Sequence, residues 1–294
     1  MTAATDTAAP LPTPEPIVDT STSDGLLAET SRRLRVSTGV LTGAILIATL
    51  AVAMFGSWFA PHPIGATIGR PFANTSTDGW LGTDGLGRDV WSQILHGGRR
   101  IVLVPLLAAI FATTVGALVG LVLARRQRSG VIDAALTVVI SIPGILVLLL
   151  LLYRFGDGAW VLIVAVLVVN LPFAVRYSRA TAQRAWLSPY VEQAELRGET
   201  RVWVLTHEVA PNVIGPVLSD AGLRFVGSVY LVTSASFLGF GPGAPATDWA
   251  SMISDNASGA SLNVWALAAP AVMIALLTVP ANLLADRLAA RIEG

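Results

Sequence analysis

Apolar residues fall in six long runs along this chain, at 40–59, 101–124, 134–154, 159–176, 213–236 and 263–284, with polar stretches between them. Each run approaches the ~20 residues a helix needs to cross a bilayer core about 30 Å thick. Inside that core every backbone amide and carbonyl must find a partner within the protein, which leaves helices or a closed barrel. Runs of this length and continuity predict helices, and so an all-α integral membrane protein with about six transmembrane helices. Pro143, Pro172, Pro270 and Pro280 lie inside the runs, where kinks relieved by neighbouring helices are expected.

The polar stretches carry the more specific pattern. Residues 1–37 are rich in Thr, Ala, Pro and Ser, hold the acidic Asp6, Glu15, Asp19, Asp24 and Glu29, and have no basic residue before Arg32. That composition predicts a disordered cytoplasmic tail and does not fit a cleavable signal peptide. The membrane domain is expected over 38–294. Within it, an outside segment at about 60–97 holds the turn signal Thr83-Asp84-Gly85 and a short amphipathic helix expected over Arg88–Leu95.

A second polar stretch, at about 177–212, has its own local logic. Ser188 before Pro189 is a helix start, Glu192 suits the first turns, and Gly198 can take the left-handed conformation that ends a helix. Thr200 can cap a second short helix with Val202, Leu205 and Val209 at helical spacing, and Pro211 is expected to end it. A helix, a glycine elbow and another helix result. After the fifth run, Gly239, Gly241, Gly243, Pro242 and Pro245 predict an irregular outside loop.

Charge sets the orientation. Arg32, Arg33 and Arg35 precede the first run, and with six spans thirteen arginines face the cytoplasm, five face outside, and Arg224 lies within a span. Positive charge stays inside, so both termini are expected in the cytoplasm. A composition 53% hydrophobic, 13% charged and with zero net charge fits no ordinary soluble domain and suggests no nucleic-acid partner. The chain has no Cys and no Lys, so it has neither a thiolate site nor a phosphate loop ending in Gly-Lys-Ser or Gly-Lys-Thr. His62, His96 and His207 lack metal-ligand spacing. No catalytic residue, bound metal or bound cofactor is expected on this chain.

Three strings resemble one family, the permeases of ABC importers for dipeptides, oligopeptides and nickel. Leu81-Gly82-Thr83-Asp84, Gly87, Arg88 and Asp89 match its outside signature. Glu192, Ala194, Gly198, His207, Pro211 and Asn212 match its EAA loop, with Gln193 in place of the first Ala. Ser236, Phe237, Leu238, Gly239, Gly241 and Trp249 match a third motif, in which Phe240, Ala250 and Val232 depart from the pattern. The resemblance covers roughly residues 40–290 and implies the second, C-type permease subunit of an ATP-driven importer of dipeptides or oligopeptides in a bacterial plasma membrane. It implies four kinds of partner: membrane lipid, a second related permease, an extracytoplasmic substrate-binding protein, and two cytoplasmic ATPase subunits that hold ATP and Mg. Glu192, Ala194, Gly198, His207, Pro211 and Asn212 are then the ATPase-coupling residues. Thr83, Asp84, Gly87, Arg88 and Asp89 then serve binding-protein docking or an outside gate.

Alternatives stand beside these expectations. A nickel or metallophore permease belongs to the same family. The coupling loop could instead lie on lipid, although Glu192, Glu195, Glu199 and Glu208 oppose anionic headgroups. An intramembrane enzyme finds no catalytic constellation here. An ion-coupled secondary transporter would need ionisable residues within its spans, and only Asp220 and Arg224 qualify clearly. Those two are four apart on one helix face, either as a structural ion pair or as part of the path lining.

Because the chain lacks Cys, single introduced thiols report its topology. Ser76→Cys is expected to react with an impermeant thiol reagent on intact cells, and Ser188→Cys only after the membrane is opened. The reverse pattern would invert the orientation.

Overall fold

The computed structural model describes residues 39–76, 79–124 and 130–293, with side chains up to Arg287. The tail at 1–37 and the turn holding Arg125, Arg126 and Arg128 lie outside the described residues. The chain divides into two units, Met1–Leu41 and Thr42–Gly294, and of the first only the helical opening at 39–41 is described.

Among the described residues ten α-helices follow in order: α1 (Gly39–Trp58), α2 (Val90–Ala124), α3 (Gly130–Ile140), α4 (Gly144–Phe155), α5 (Ala159–Trp186), α6 (Pro189–Leu196), α7 (Arg201–Val204), α8 (Ala210–Ala235), α9 (Trp249–Asn256) and α10 (Trp265–Glu293). Among the described residues, five stretches are long and apolar enough to cross a membrane: α1, α2, α5, the continuous stretch Arg201–Phe240, and α10. α3 and α4 together make a sixth if the pair is one span, bent by 69°. The protein is an all-α integral membrane protein.

The bend is more than the kink expected at Pro143. Proline has no N–H to give and disfavours helical backbone at the residue before it. The helix therefore stops at Ile140 and restarts at Gly144. Gly144 lets α4 sit against α5, since a Cβ there would lie 2.6 Å from Val169 Cγ1.

The helix expected over Arg88–Leu95 and the second apolar run are one element. α2 runs unbroken for 35 residues, about 52 Å at ~1.5 Å per residue, and so projects well beyond a ~30 Å core. Gly97 and Gly98, which would weaken an isolated helix, are places where other chain segments approach closely. A Cβ on Gly98 would lie 2.5 Å from Ala53 Cα, and one on Gly97 3.1 Å from Trp249 Cδ1. α5 likewise continues past the predicted end at 176 to Trp186.

α2 and α5 form the central pair. A Cβ on Gly116 would lie 2.3 Å from Ala174 Cβ, and one on Gly120 2.7 Å from Ser178 Cβ. Lipid tails are as apolar as leucine, so helices in a bilayer are held by close contact between small residues rather than by exclusion from water. Around this pair Ile94, Ile101, Leu148, Leu162, Val229 and Leu277 fill one continuous core. Leu118, Val122, Leu150 and Tyr230 point outward and are well exposed, as suits a surface facing lipid or another membrane subunit.

Gly116→Leu is expected to force α2 and α5 apart and to lower stability by roughly 1–3 kcal/mol, the range for overpacked cores. Gly227→Ala, where nothing lies within 4 Å of the added Cβ, should leave the melting temperature in detergent near that of the parent. Equal melting of all three proteins would refute the close α2–α5 contact.

Candidate functional site

The polar elbow lies at the Ala124 end of α2. α6 ends at Leu196 with Arg197 as its C-cap, and Gly198 follows with φ +81°. The Gly198 amide donates to Glu195 O at 3.0 Å and the Glu199 amide to Ala194 O at 3.2 Å. These two bonds complete a Schellman motif, which satisfies carbonyls left over at a helix end. Thr200 then caps α7, accepting from the Trp203 amide at 3.3 Å. Ser188 has the extended backbone of an N-cap, but its hydroxyl donates back to Arg184 O at 3.4 Å, so the expected side-chain cap is not made.

Pro211 does not end the second arm. A π-helical turn at Leu205–Val209 carries α7 directly into α8, with Pro211 in its first turn. A widened turn tolerates the missing proline amide. It also moves the buried face. Val204, Val209, Val213 and Val217 are buried, at spacings of five, four and four, whereas Val202 is exposed. With Val191, Ala194, Ala182 and Ala185 these valines form a second small core that seats the elbow on the ends of α2, α5 and α8.

Of the six residues matched to the EAA loop, Ala194 is buried and serves this core, while the other five are exposed. The His207 ring stacks on Trp203 with centroids 4.7 Å apart. Asn212 Nδ2 donates to Glu208 O at 2.6 Å. Arg197 lies 3.6 Å from Glu208 and links the two arms. The outward face therefore mixes Glu192, Glu195 and Arg201 with well-exposed Leu187, Leu196 and Val202.

At the other end of α2 the outside string folds on itself. Thr83 Oγ1 donates to Arg70 O at 2.6 Å and accepts from the Ala73 amide at 2.8 Å. Asp84 Oδ1 accepts from the Leu86 and Arg88 amides at 2.9 and 2.8 Å, and its Oδ2 accepts from Arg88 Nε at 2.6 Å. Asp89 starts α2, accepting from the Ser92 amide at 3.0 Å and the Ser92 hydroxyl at 2.6 Å. Gly87 has φ +76°, and a Cβ there would lie 2.3 Å from Gly69 O. Thr83, Asp84, Arg88 and Asp89 are all buried. Their side chains fix the shape of the segment and offer little direct contact to a partner.

The third string clamps this fold. Ser236 Oγ donates to Asp248 Oδ2 at 2.8 Å, and Asp248 Oδ1 caps α9 by accepting from the Ala250 and Ser251 amides at 3.0 and 2.8 Å. Fully buried Trp249 donates its Nε1 to Ile94 O at 2.8 Å. Asn263 Nδ2 donates to Leu81 O and Thr83 O, and the Gly85 amide donates to Asn256 Oδ1. Arg100 gives one amino group to Asp157 O at 2.9 Å and to Phe240 O at 3.3 Å.

Residues 112–294 match the family described as the inner membrane component of binding-protein-dependent transport systems. The chain belongs to this family.

Relatives of this inner membrane component include the probable D,D-dipeptide permease DdpC of Escherichia coli K12, 26% identical over 84% of each chain. The dipeptide permease DppC of Alkalihalophilus pseudofirmus is 26% identical over 97% of this chain and 96% of its own. The di/tripeptide permease DppC of Pseudomonas aeruginosa is 28% identical over 84% and 85%. Among solved structures, the MetNI methionine ABC transporter in inward-facing conformations superposes with a TM-score of 0.53 at 17% identity, covering 67% of this chain and 94% of that one. That likeness shows the fold. Family and helices together make this a multi-pass plasma-membrane permease.

Within the bundle of this permease, Asp220 and Arg224 do pair. Arg224 Nε lies 2.5 Å from Asp220 Oδ2, and Arg224 also donates to Asn170 O at 3.4 Å. The Asn170 amide in turn donates to Ser228 Oγ at 3.3 Å. Both charged side chains are largely shielded within this one chain. Near the elbow, Arg179 is paired with Asp133, which joins α5 to α3.

Several of these residues escape a reading of the sequence. Asp248 and Ser251 carry a local signal, an acidic cap with a hydroxyl three residues later, inside the stretch expected to be an irregular loop. Asn256, Asn263 and Asn170 carry none, because the bonds that tie them to other segments reach partners far away in sequence. Removing one partner of the buried Asp84–Arg88 pair is expected to cost roughly 3–5 kcal/mol. Asp84→Ala should lower the melting temperature more than Arg88→Met, since it also strands two backbone amides. Parent-like melting of both variants would show that the pair does not hold the segment.

Proposed function

We propose that this chain is the C-type permease subunit of an ATP-driven importer of dipeptides or oligopeptides. The observation that carries the proposal is the elbow: exposed acidic and apolar side chains on a rigid corner whose inner face is locked to the ends of three long helices. A corner of that kind passes a push on to the bundle. The peptide permeases DppC and DdpC, similar over most of their length, support peptides as the cargo. The chain itself performs no chemistry. ATP and Mg sit on two cytoplasmic ATPase subunits, a second permease completes the path, and a binding protein delivers cargo outside. Both termini lie in the cytoplasm.

The mechanism follows from one long element. From Arg201 to Phe240 the chain is helical over 40 residues, about 60 Å, from the elbow to the clamp at Ser236 and Asp248. A π-helical turn marks one end, at Leu205–Val209, and at the other the helix breaks at Gly239, whose φ is +97°. π-helical turns are frequent at functional sites. Closure of the ATPases displaces the elbow, the rod carries the displacement across the membrane, and the opposite end switches between outward- and inward-facing arrangements. We assign Asp220 and Arg224 a structural role, as the tie from this rod through Asn170 to α5.

Gly198→Val places a β-branched residue at φ +81°, a strain of roughly 1–2 kcal/mol, and Glu192→Arg reverses a charge on the exposed face. Both are expected to insert in the membrane, to lose peptide uptake and to hold the ATPase subunits weakly on co-purification. Normal uptake and normal co-purification in both variants would remove the elbow as the coupling surface.

A further inference from the structure

Beside the clamp, Phe72, Leu86, Asp255 and Ser258 surround a cavity of about 320 Å³, with the Asp84–Arg88 pair in its wall. Asp84 and Arg88 are both buried and neutralise each other. Asp255 is then the unmatched charge. Among the described residues its carboxylate makes no side-chain hydrogen bond and no ion pair within 4 Å. Desolvation pushes its carboxyl up from the ordinary range; Arg88 opposes the rise, and Asp248 and Asp84 add to it. Asp255 is itself exposed at the cavity mouth, so its carboxylate is open to an incoming cation. Phe72 supplies an aromatic ring, fixed by neighbouring glycines: a Cβ on Gly259 would fall 2.1 Å from its Cζ, and one on Gly85 3.0 Å. A ring beside a carboxylate is the pairing that holds ammonium and guanidinium groups. Exposed Leu86 gives the site an apolar rim.

We propose that this cavity receives a lysine or arginine side chain of the extracytoplasmic binding protein, seated between Asp255 and Phe72. The inference rests on the permease function proposed above and adds to it the chemistry of the docking contact. Charge complementarity selects the occupant, because a cation brings the site to neutrality and a carboxylate would double its negative charge. Arg88, whose Nε is already given to Asp84, contributes to the wall rather than to an anion site.

The test uses the assembled transporter in lipid nanodiscs and purified extracytoplasmic peptide-binding protein of the same organism, with Kd measured over a series of salt concentrations. Co-purification of the ATPase subunits reports that each variant is assembled. Asp255→Asn is expected to weaken docking about threefold to tenfold and to flatten its salt dependence, as for a charge at an interface. Asp255→Lys should weaken it further, and a Lys→Glu or Arg→Glu change on the docking face of the binding protein should restore it. Unchanged docking of Asp255→Asn overturns the proposal. Tighter docking of Asp255→Asn also overturns it and assigns the cavity to a carboxylate on Arg88. A parent transporter that binds no such protein would instead sink the permease function itself, so the two failures are told apart.

Discussion

Close contact between α2 and α5 is the constraint on which the rest of the molecule depends. At Gly116 and Gly120 the two backbones approach so closely that an added Cβ would collide with Ala174 or Ser178. In a bilayer such contact replaces the hydrophobic force that drives soluble cores together. It also sets the geometry at both ends. The same α2 that meets α5 at Gly116 carries the outside string at its start and seats the elbow core through Ala124 at its finish. Moving α2 relative to α5 would displace both polar sites together.

The polar residues in this protein are of two physical kinds. Asp84, Arg88, Asp89, Asp248 and Asn263 are buried and hydrogen-bonded to backbone or to each other. Burying such groups without partners costs several kcal/mol, roughly 1–3 for each lost bond and more for a charge. They therefore specify one shape for a segment that contains little regular secondary structure. Glu192, Glu195 and Arg201 are exposed on the elbow and carry charge outward. A motif match alone does not distinguish the two kinds; burial does.

Much of this was legible in the sequence. The apolar runs set the number and order of the spans, because their length is dictated by bilayer thickness. The elbow was visible because Gly198 and Thr200 act through local backbone chemistry, and the Asp220–Arg224 pair because i and i+4 share a face. What the sequence hid was non-local or a matter of helix register. Nothing in the residues around Gly97 announces Trp249, which lies far along the chain and packs there. The π-helical turn was hidden too, since Val204 and Val209 are five apart and match neither a helical nor a strand period. Pro211 looked like an end because a proline normally is one, yet a widened turn absorbed it.

That widened turn explains how one element can be both rigid and responsive. An uninterrupted α-helix over Arg201–Phe240 would transmit a push but would resist any change of direction at its ends. The π-helical turn at 205–209 and the break at Gly239, with φ +97°, interrupt the α-helical hydrogen-bond ladder at two places. Between them α8 keeps a regular ladder and is tied to α5 through Arg224 and Asn170. At one end the free motion is limited by the valine core of the elbow, and at the other by Ser236 on Asp248 and by Arg100 on Phe240 O. Under the proposed mechanism bending would concentrate at the two polar sites, while the membrane-spanning middle, where an unsatisfied backbone group would cost most, would move as a unit.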